Sequence, residues 1–491
     1  REEFERRVAD QAADLKAQIR AGELDNRDPT IGLELECYLV DGDGRLAALP
    51  ADAFADVPVK RELGFHNIEL NTPAGVFDQV GIEAQAETIG ERLAAAREAA
   101  GERDTRPALD AMWTIPPPGG SDRYLRAVEE TDGVVVAQNM FQSPRYYAID
   151  NDVLRHAGGS IDLALPGVEL SVPSILVESL TTSMQPHLQV PEATALPRYY
   201  NTAIRTLGPV LSIATNSPFL PADLYDDVDP ARLVAETDHE LRIPVFEQSI
   251  NAGQDPGKVR FPDDIDRPTD VVDEIVADRT TAPFLREWVD ADDDMDAFTD
   301  TFWELGHKHG TYWRWLRAVI GGDFVGAGND ERSLRIEYRP LPTQPSVADV
   351  VSLQCLVVGL VHGLVEADHP LPTMDWTDAR EAFYDAVADG PKADLAWVTA
   401  DGTPTTDADR IYEEIVHYAH HGLADRGVSA AEAERLLRPI ERRTRDRTAP
   451  SQWKRERVRA ALDEGHGLEA AIHRMQTDYF ERMGTPFVDW D

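Results

Sequence analysis

The sequence predicts an α+β fold built on a mainly antiparallel sheet, and three observations predict it. Four short segments alternate polar with apolar residues, a strong hairpin turn follows the first of them, and the helical stretches are segregated from the strands.

In chain order, residues 1 to 24 carry helical periodicity and are expected to pack outside the sheet. The first strand runs from Ile31 to Val40 and turns at Asp41-Gly42-Asp43-Gly44. That turn shares a few residues with a calcium loop, but the rest of such a loop is missing. A second strand, Asn67 to Asn71, precedes an alanine-rich helix from Gln79 to Gly101, and Pro116-Pro117-Pro118-Gly119-Gly120 marks a surface loop. The third strand, Thr182 to Val190, leads into a helix from Ala195 to Thr215. The acidic stretch Pro262 to Asp300 is expected to be a solvated excursion, and Gly321 to Gly328 a flexible loop lacking the lysine and hydroxyl of a phosphate cradle. The fourth strand ends at Arg339-Pro340-Leu341-Pro342, after which Ser346 with Asp349 opens a helix through Val350 to Val365. That apolar stretch is shorter than a membrane span and holds Gln354 and His362, so it is expected to be buried. From Asp375 to Asp491 the chain is charged and helical, without strand signal.

The formal charge is -41, with 89 acidic against 48 basic residues, and six of the basic residues are lysines. Such a lysine-poor acidic composition points to a halophile, whose salt screens the self-repulsion, and it argues against nucleic acid and membrane as partners. Cys37 and Cys355 form no framework or CxxC motif and are expected in the core, which with the acidic, periodic start fits a cytoplasmic protein.

The alternation also places the chemistry. Glu34 and Glu36; Asn67, Glu69 and Asn71; Gln185, His187 and Gln189; and Arg335, Glu337 and Arg339 each share one face of their strand, at spacings of roughly 6.8 Å. Leu33, Leu35, Ile68, Leu70, Leu188, Val190, Leu334 and Ile336 take the other face. Half-solvated strands alternate in the same way, but a wet face alone does not call for an Arg-x-Glu-x-Arg trio or a histidine between two amides. On one sheet these groups make a surface for metal ions and phosphate. His307 and His309 are expected to be structural, and His417, His420 and His421, although spaced for zinc on a helix, to be solvated. Trp303, Trp313 and Trp315 fit the core as readily as a pocket.

Six ordered blocks resemble the glutamate–cysteine ligase family, in its bacterial and plant-like branch. They are Ile31 to Glu36, Glu62 to Asn71, Thr182 to Val190, Thr215 to Phe219, Gly310 to Arg317 and Leu334 to Pro342. The resemblance implies a catalytic domain like that of glutamine synthetase, a curved antiparallel sheet with helices on its convex side and the site in its concave face. It implies Glu34, Glu36, Glu69, His187 and Glu337 as metal ligands, and Arg335, Arg339 and Arg317 as phosphate-handling catalytic groups. It further implies Arg314, Trp313, Gln185 and Gln189 at the nucleotide, and Arg145 at the substrate. The cofactors are then ATP and two or three Mg²⁺ ions, with Mn²⁺ a workable substitute, and the partners are glutamate, an amine such as cysteine, and ATP. A homo-oligomer is compatible with the sequence. The organisation expected is an N-terminal helix (1–30), a catalytic ligase domain (31–370) and a helical C-terminal extension (371–491) packed on the same domain.

The activity implied is ATP-dependent formation of γ-glutamylcysteine through a γ-glutamyl phosphate. Alternatives are the same mechanism with another amine, a non-catalytic nucleotide- or amino-acid-binding protein of this fold, and a guanidino phosphotransferase. Leu316 and Gln344 depart from the Asn and Gly that relatives often carry, and Gln189 stands where some have a second His. These departures are expected to affect the amine or nucleotide rather than the metals.

Overall fold

A computed structural model describes residues 1–26, 28–49, 51–54, 57–289, 297–322 and 332–490. Its strands are β1 (Thr30–Val40), β2 (Lys60–Arg61), β3 (Asn67–Asn71), β4 (Gly75–Val76), β5 (Arg106–Ala108), β6 (Val128–Thr131), β7 (Val134–Ala137), β8 (Ile161–Leu165), β9 (Val168–Val172), β10 (Met184–Gln189), β11 (Leu316–Gly321), β12 (Ser333–Tyr338), β13 (Trp397–Val398) and β14 (Pro404–Thr405). Eight of them form a curled antiparallel sheet of order β11-β12-β10-β1-β3-β2, with β4 and β5 also paired to β1. β6/β7, β8/β9 and β13/β14 are separate hairpins.

The apolar alternates of the sheet are buried to within 3% of full enclosure: Leu33, Leu35, Ile68, Leu70, Leu188, Leu334 and Ile336. Each contributes about 1.5–3 kcal/mol of burial. Helices Gln79–Gly101, Leu196–Ser212 and Val347–Glu366 cover this convex face. Tyr338 meets Thr206 at 3.2 Å, and Gln354 Nε2 donates to the Gly32 carbonyl at 3.2 Å.

Local signals operate as expected. Asp41 Oδ1 accepts from the Asp43 and Arg45 amides at 2.9 Å each, and Gly44 takes φ +77, which closes the turn after β1. Ser346 Oγ accepts from the Asp349 amide at 3.1 Å and caps the helix that follows. Cys37 and Cys355 are buried and free.

Several expectations need correction. Part of the acidic stretch is docked rather than solvated: helix Asp270–Ala277 buries Val271, Val272 and Ile275 against helices Glu2–Arg20 and Trp303–His309. Its aliphatic residues form a stripe that the local excess of charge masks. Residues 290–296 of that stretch, and 323–328 of the glycine-rich loop, lie outside the described residues. The C-terminal region contains one short hairpin, β13/β14. Helix Val347–Glu366 has the length and apolarity of a membrane span, so burial, not shortness, accounts for it; 89% of its apolar window is enclosed by the protein.

The helices after 371 are tied to the core by buried ion pairs. Lys454 Nζ reaches Asp110 Oδ1 at 2.5 Å, and Arg443 Nη2 reaches Asp349 Oδ1 at 2.7 Å, all four side chains at most 1% exposed.

Candidate active site

Sheet register builds the site. β11, β12, β10 and β1 place Arg317, Glu337, His187 and Gly32 in one row, because Arg317 pairs with Glu337, Glu337 with His187, and His187 with Gly32. On the next row Gln185 pairs with Glu34 and Glu34 with Asn71. Beyond it Glu36 pairs with Glu69, and Glu69 with Lys60. Strand alternation sends all of these side chains to the concave face.

Glu34, His187 and Glu337 converge, with ligand atoms within 4.8 Å of one another. His187 Nε2 is 3.6 Å from Glu34 Oε1 and 3.9 Å from Glu337 Oε1, and it is buried without a hydrogen-bond partner. Two carboxylates and an orphaned imidazole nitrogen around a common gap suit a divalent cation. On its other side His187 Nδ1 accepts from Arg335 Nε at 3.2 Å. Ligation through Nε2 therefore requires Arg335 to leave Nδ1, which then carries the ring proton.

Glu337 is clasped by arginines. Arg317 Nε donates to Oε2 and Nη2 to Oε1 at 3.2 Å, while Arg339 Nη1 lies 3.0 Å from Oε2. Burial opposes its ionisation, but Arg317 and Arg339 outweigh burial and hold the carboxyl well below the usual range. Arg339 also donates to Gln185 Oε1 at 2.7 Å.

The β1–β3 end is the reverse case. Glu36 accepts from the Ser183 amide at 2.7 Å, and burial pushes its pKa up. Glu69 rises to about 7 through burial and the nearby Glu34 and Glu36, with Lys60 pulling the other way. Glu62 joins them: burial and Glu69 raise it well above an ordinary carboxyl, and Tyr146 reaches its Oε2 at 3.4 Å. The sequence reading missed Glu62 as a site residue. Its backbone amide bonds Asn67 O at 3.4 Å, so it sits beside β3 on the same side as Lys60 and Glu69. Crowded carboxylates that resist ionisation are what an incoming cation relieves.

The other anticipated residues are placed as follows. Arg145 is exposed and donates to Gly310 O at 3.0 Å, beside Tyr146. Gln189 is engaged by Thr30, whose amide and hydroxyl donate to its Oε1 at 3.1 and 2.7 Å. Arg314 is not brought to the cluster: it is buried against Asp278, 3.2 Å away, with its guanidinium over the Tyr312 ring. Trp313 rests edge-on against Phe246, and Trp315 is core, its Nε1 donating to Glu247 at 2.7 Å. His307 and His309 bond carbonyls of Ala282 and Ala318, and His420 pairs with Glu441 at 2.6 Å. Among the described residues the one group of three or more metal-type ligands that converges is Glu34, His187 and Glu337. A cavity of about 560 Å³ opens beside it, lined by Thr30, Gly32, Glu34, Lys60, His187 and Arg335 among others.

The family model described as "Glutamate-cysteine ligase family 2 (GCS2)" matches residues 30–482. The chain belongs to glutamate–cysteine ligase family 2. The fold of this family member matches glutamate–cysteine ligase from Francisella tularensis, solved in complex with AMP, with a TM-score of 0.52 and 12% identity over 95% of this chain and 91% of that one. A bifunctional glutathione synthetase from Pasteurella multocida matches at TM-score 0.49, with 12% identity over 96% of this chain and 55% of that one. No curated protein matches the sequence. Family and fold together place this glutamate–cysteine ligase family member among the carboxylate–amine ligases.

Two of the family departures prove structural, which corrects the expectation that they bear on the amine or nucleotide. Leu316 is fully buried, with its carbonyl accepting from Tyr200. Gln344 is fully buried between Ala214 O and Arg443.

Proposed function

We propose that this chain is an ATP- and Mg²⁺-dependent glutamate–cysteine ligase, acting in a salt-rich cytoplasm. The observation that carries the proposal is the convergence of Glu34, His187 and Glu337 beside the arginine clasp of Arg317 and Arg339, in a member of this family. The cavity at Thr30, Gly32 and Arg335 takes the nucleotide, with its phosphates toward the cluster.

Bound Mg²⁺ would neutralise the β- and γ-phosphates, held by Glu34, His187 and Glu337 and, at the crowded end, by Glu36, Glu62 and Glu69. A γ-carboxylate oxygen attacks the γ-phosphorus, ADP leaves, and an acyl phosphate forms. The amine nitrogen then attacks the acyl carbon, phosphate leaves, and the nitrogen loses a proton. Arg335 and Arg339, each with guanidinium nitrogens left over, stabilise the transferring group, since a planar fork binds phosphate oxygens in pairs, and Arg317 adds its charge from its place on Glu337. Arg145, exposed at Gly310, is the group for a substrate carboxylate.

The test is coupled ADP release in molar salt with glutamate and a panel of amines. Glutamate- and cysteine-dependent ADP formation supports the proposal. Turnover with a different amine alone would replace cysteine, and no ADP with any pair would leave a binding protein.

A further inference from the structure

The charges of the concave face are unevenly distributed. At β11 and β12 the arginines outnumber the carboxylate, with Arg317 and Arg339 both on Glu337. At the other end Glu36, Glu62 and Glu69 crowd together; Arg242 and Arg339 act on Glu36 and Arg145 on Glu62, and the cation on Glu69 is Lys60. Lys60 is one of six lysines in a chain whose positive charge is otherwise arginine. Three of those six, Lys258, Lys308 and Lys454, are at most 4% exposed. The Lys60 side chain is 69% exposed, its ammonium lies 3.8 Å from Glu69 Oε1, and it lines the same cavity as Arg335 and His187.

Both of these cavity cations rest on groups assigned to the metals: Arg335 on His187 Nδ1 at 3.2 Å, and Lys60 on Glu69. A divalent cation at Glu69 repels an ammonium 3.8 Å away and removes its counter-charge. Lys60, on a flexible four-carbon stem at the wall of the cavity that Glu34 also lines, would then be released toward an anionic guest in that cavity.

We propose that Lys60 is a substrate-anchoring cation that holds Glu69 before metal loading and transfers to the phosphates of the nucleotide once metal is bound. This rests on the ligase reading above. It gives Lys60 opposite effects on two ligands: it competes with the metal for Glu69, and it assists the nucleotide.

The experiment measures Mn²⁺ alone by electron paramagnetic resonance, Mg-ATP by calorimetry, and KM for ATP and for glutamate, in the parent, Lys60→Met and Lys60→Arg. Methionine keeps the stem and removes the charge. In Lys60→Met, Mn²⁺ should bind about threefold tighter, while Mg-ATP binding and KM for ATP weaken about tenfold. KM for glutamate should stay at the parent value, and Lys60→Arg should restore the nucleotide terms. Unchanged Mg-ATP affinity in Lys60→Met would overturn the proposal, leaving Lys60 a counter-charge for Glu69. A rise in KM for glutamate in place of ATP would overturn it as well and assign Lys60 to a substrate carboxylate. A parent that binds no Mg-ATP would overturn the ligase reading itself, and the role of Lys60 with it.

Discussion

Replacing Glu337 with Gln tests the core of the site. The carboxylate is 2% exposed and faces Arg317, Arg339 and His187. At the 3.0 Å separating it from Arg339 Nη1, one pair of unit charges attracts by about 5 kcal/mol at an effective dielectric constant of 20. Removing one partner of a buried pair costs about 3–5 kcal/mol. Gln keeps the volume and one accepting oxygen, so a loss of about 3 kcal/mol is expected, the lower end of that range. The catalytic effect should be of at least similar size, since a loss of about 100-fold corresponds to about 2.7 kcal/mol. The amide brings N–H toward a cation or toward the guanidinium groups and leaves two arginines beside the phosphates without their anion. ADP formation should fall by at least about 100-fold. The assay is coupled ADP release at saturating Mg²⁺ in molar salt, with circular dichroism to establish that the variant is folded. A folded variant within a few-fold of the parent would remove Glu337 from the site and refute the reasoning.

Three further outcomes are expected. Burial and the nearby Glu34 and Glu36 raise Glu69 from the ordinary 4.5 to about 7 in the folded protein, so between these values the folded state holds a proton that the unfolded chain has lost. It therefore contributes a loss of metal-free stability as pH rises through that window, and metal binding below pH 7 should release a proton; calorimetry in buffers of different ionisation enthalpy checks this, and zero release at pH 6 contradicts it. Lys454→Met strands Asp110 in the core and should cost about 3–5 kcal/mol, measured by denaturant unfolding, with Asp110→Asn in the same chain recovering part; equal stability of Lys454→Met and parent would show the pair to be unimportant. The charge of -41 should make the protein melt earlier as salt is removed, since the Debye length grows from about 3 Å at 1 M to about 30 Å at 0.01 M. Mg-ATP at low salt should delay melting in the parent and less in Glu36→Gln; equal protection of both would mean that Glu36 binds no metal.

Much of this site was legible in the sequence because strand alternation is a local, period-two property. Leu33-Glu34-Leu35-Glu36, His187 between two glutamines, and Arg335-Ile336-Glu337-Tyr338-Arg339 each sort into a buried and a polar face without any knowledge of neighbours. The Ser346 cap and helix Gln79–Gly101 are equally local. Tertiary structure alone decided which strands lie side by side, and so that Glu34, His187 and Glu337 meet while Gln189 is engaged by Thr30. It also decided Glu62, because β2 is two residues long and too short to show alternation. Arg314 and Trp313 precede β11, where no period says which way a side chain points, and Arg314 went to Asp278. The pairing of Lys454 with Asp110, 344 residues apart, was invisible for the same reason. A local pattern specifies which face of an element is polar, whereas long-range burial selects the partner that each polar group finds.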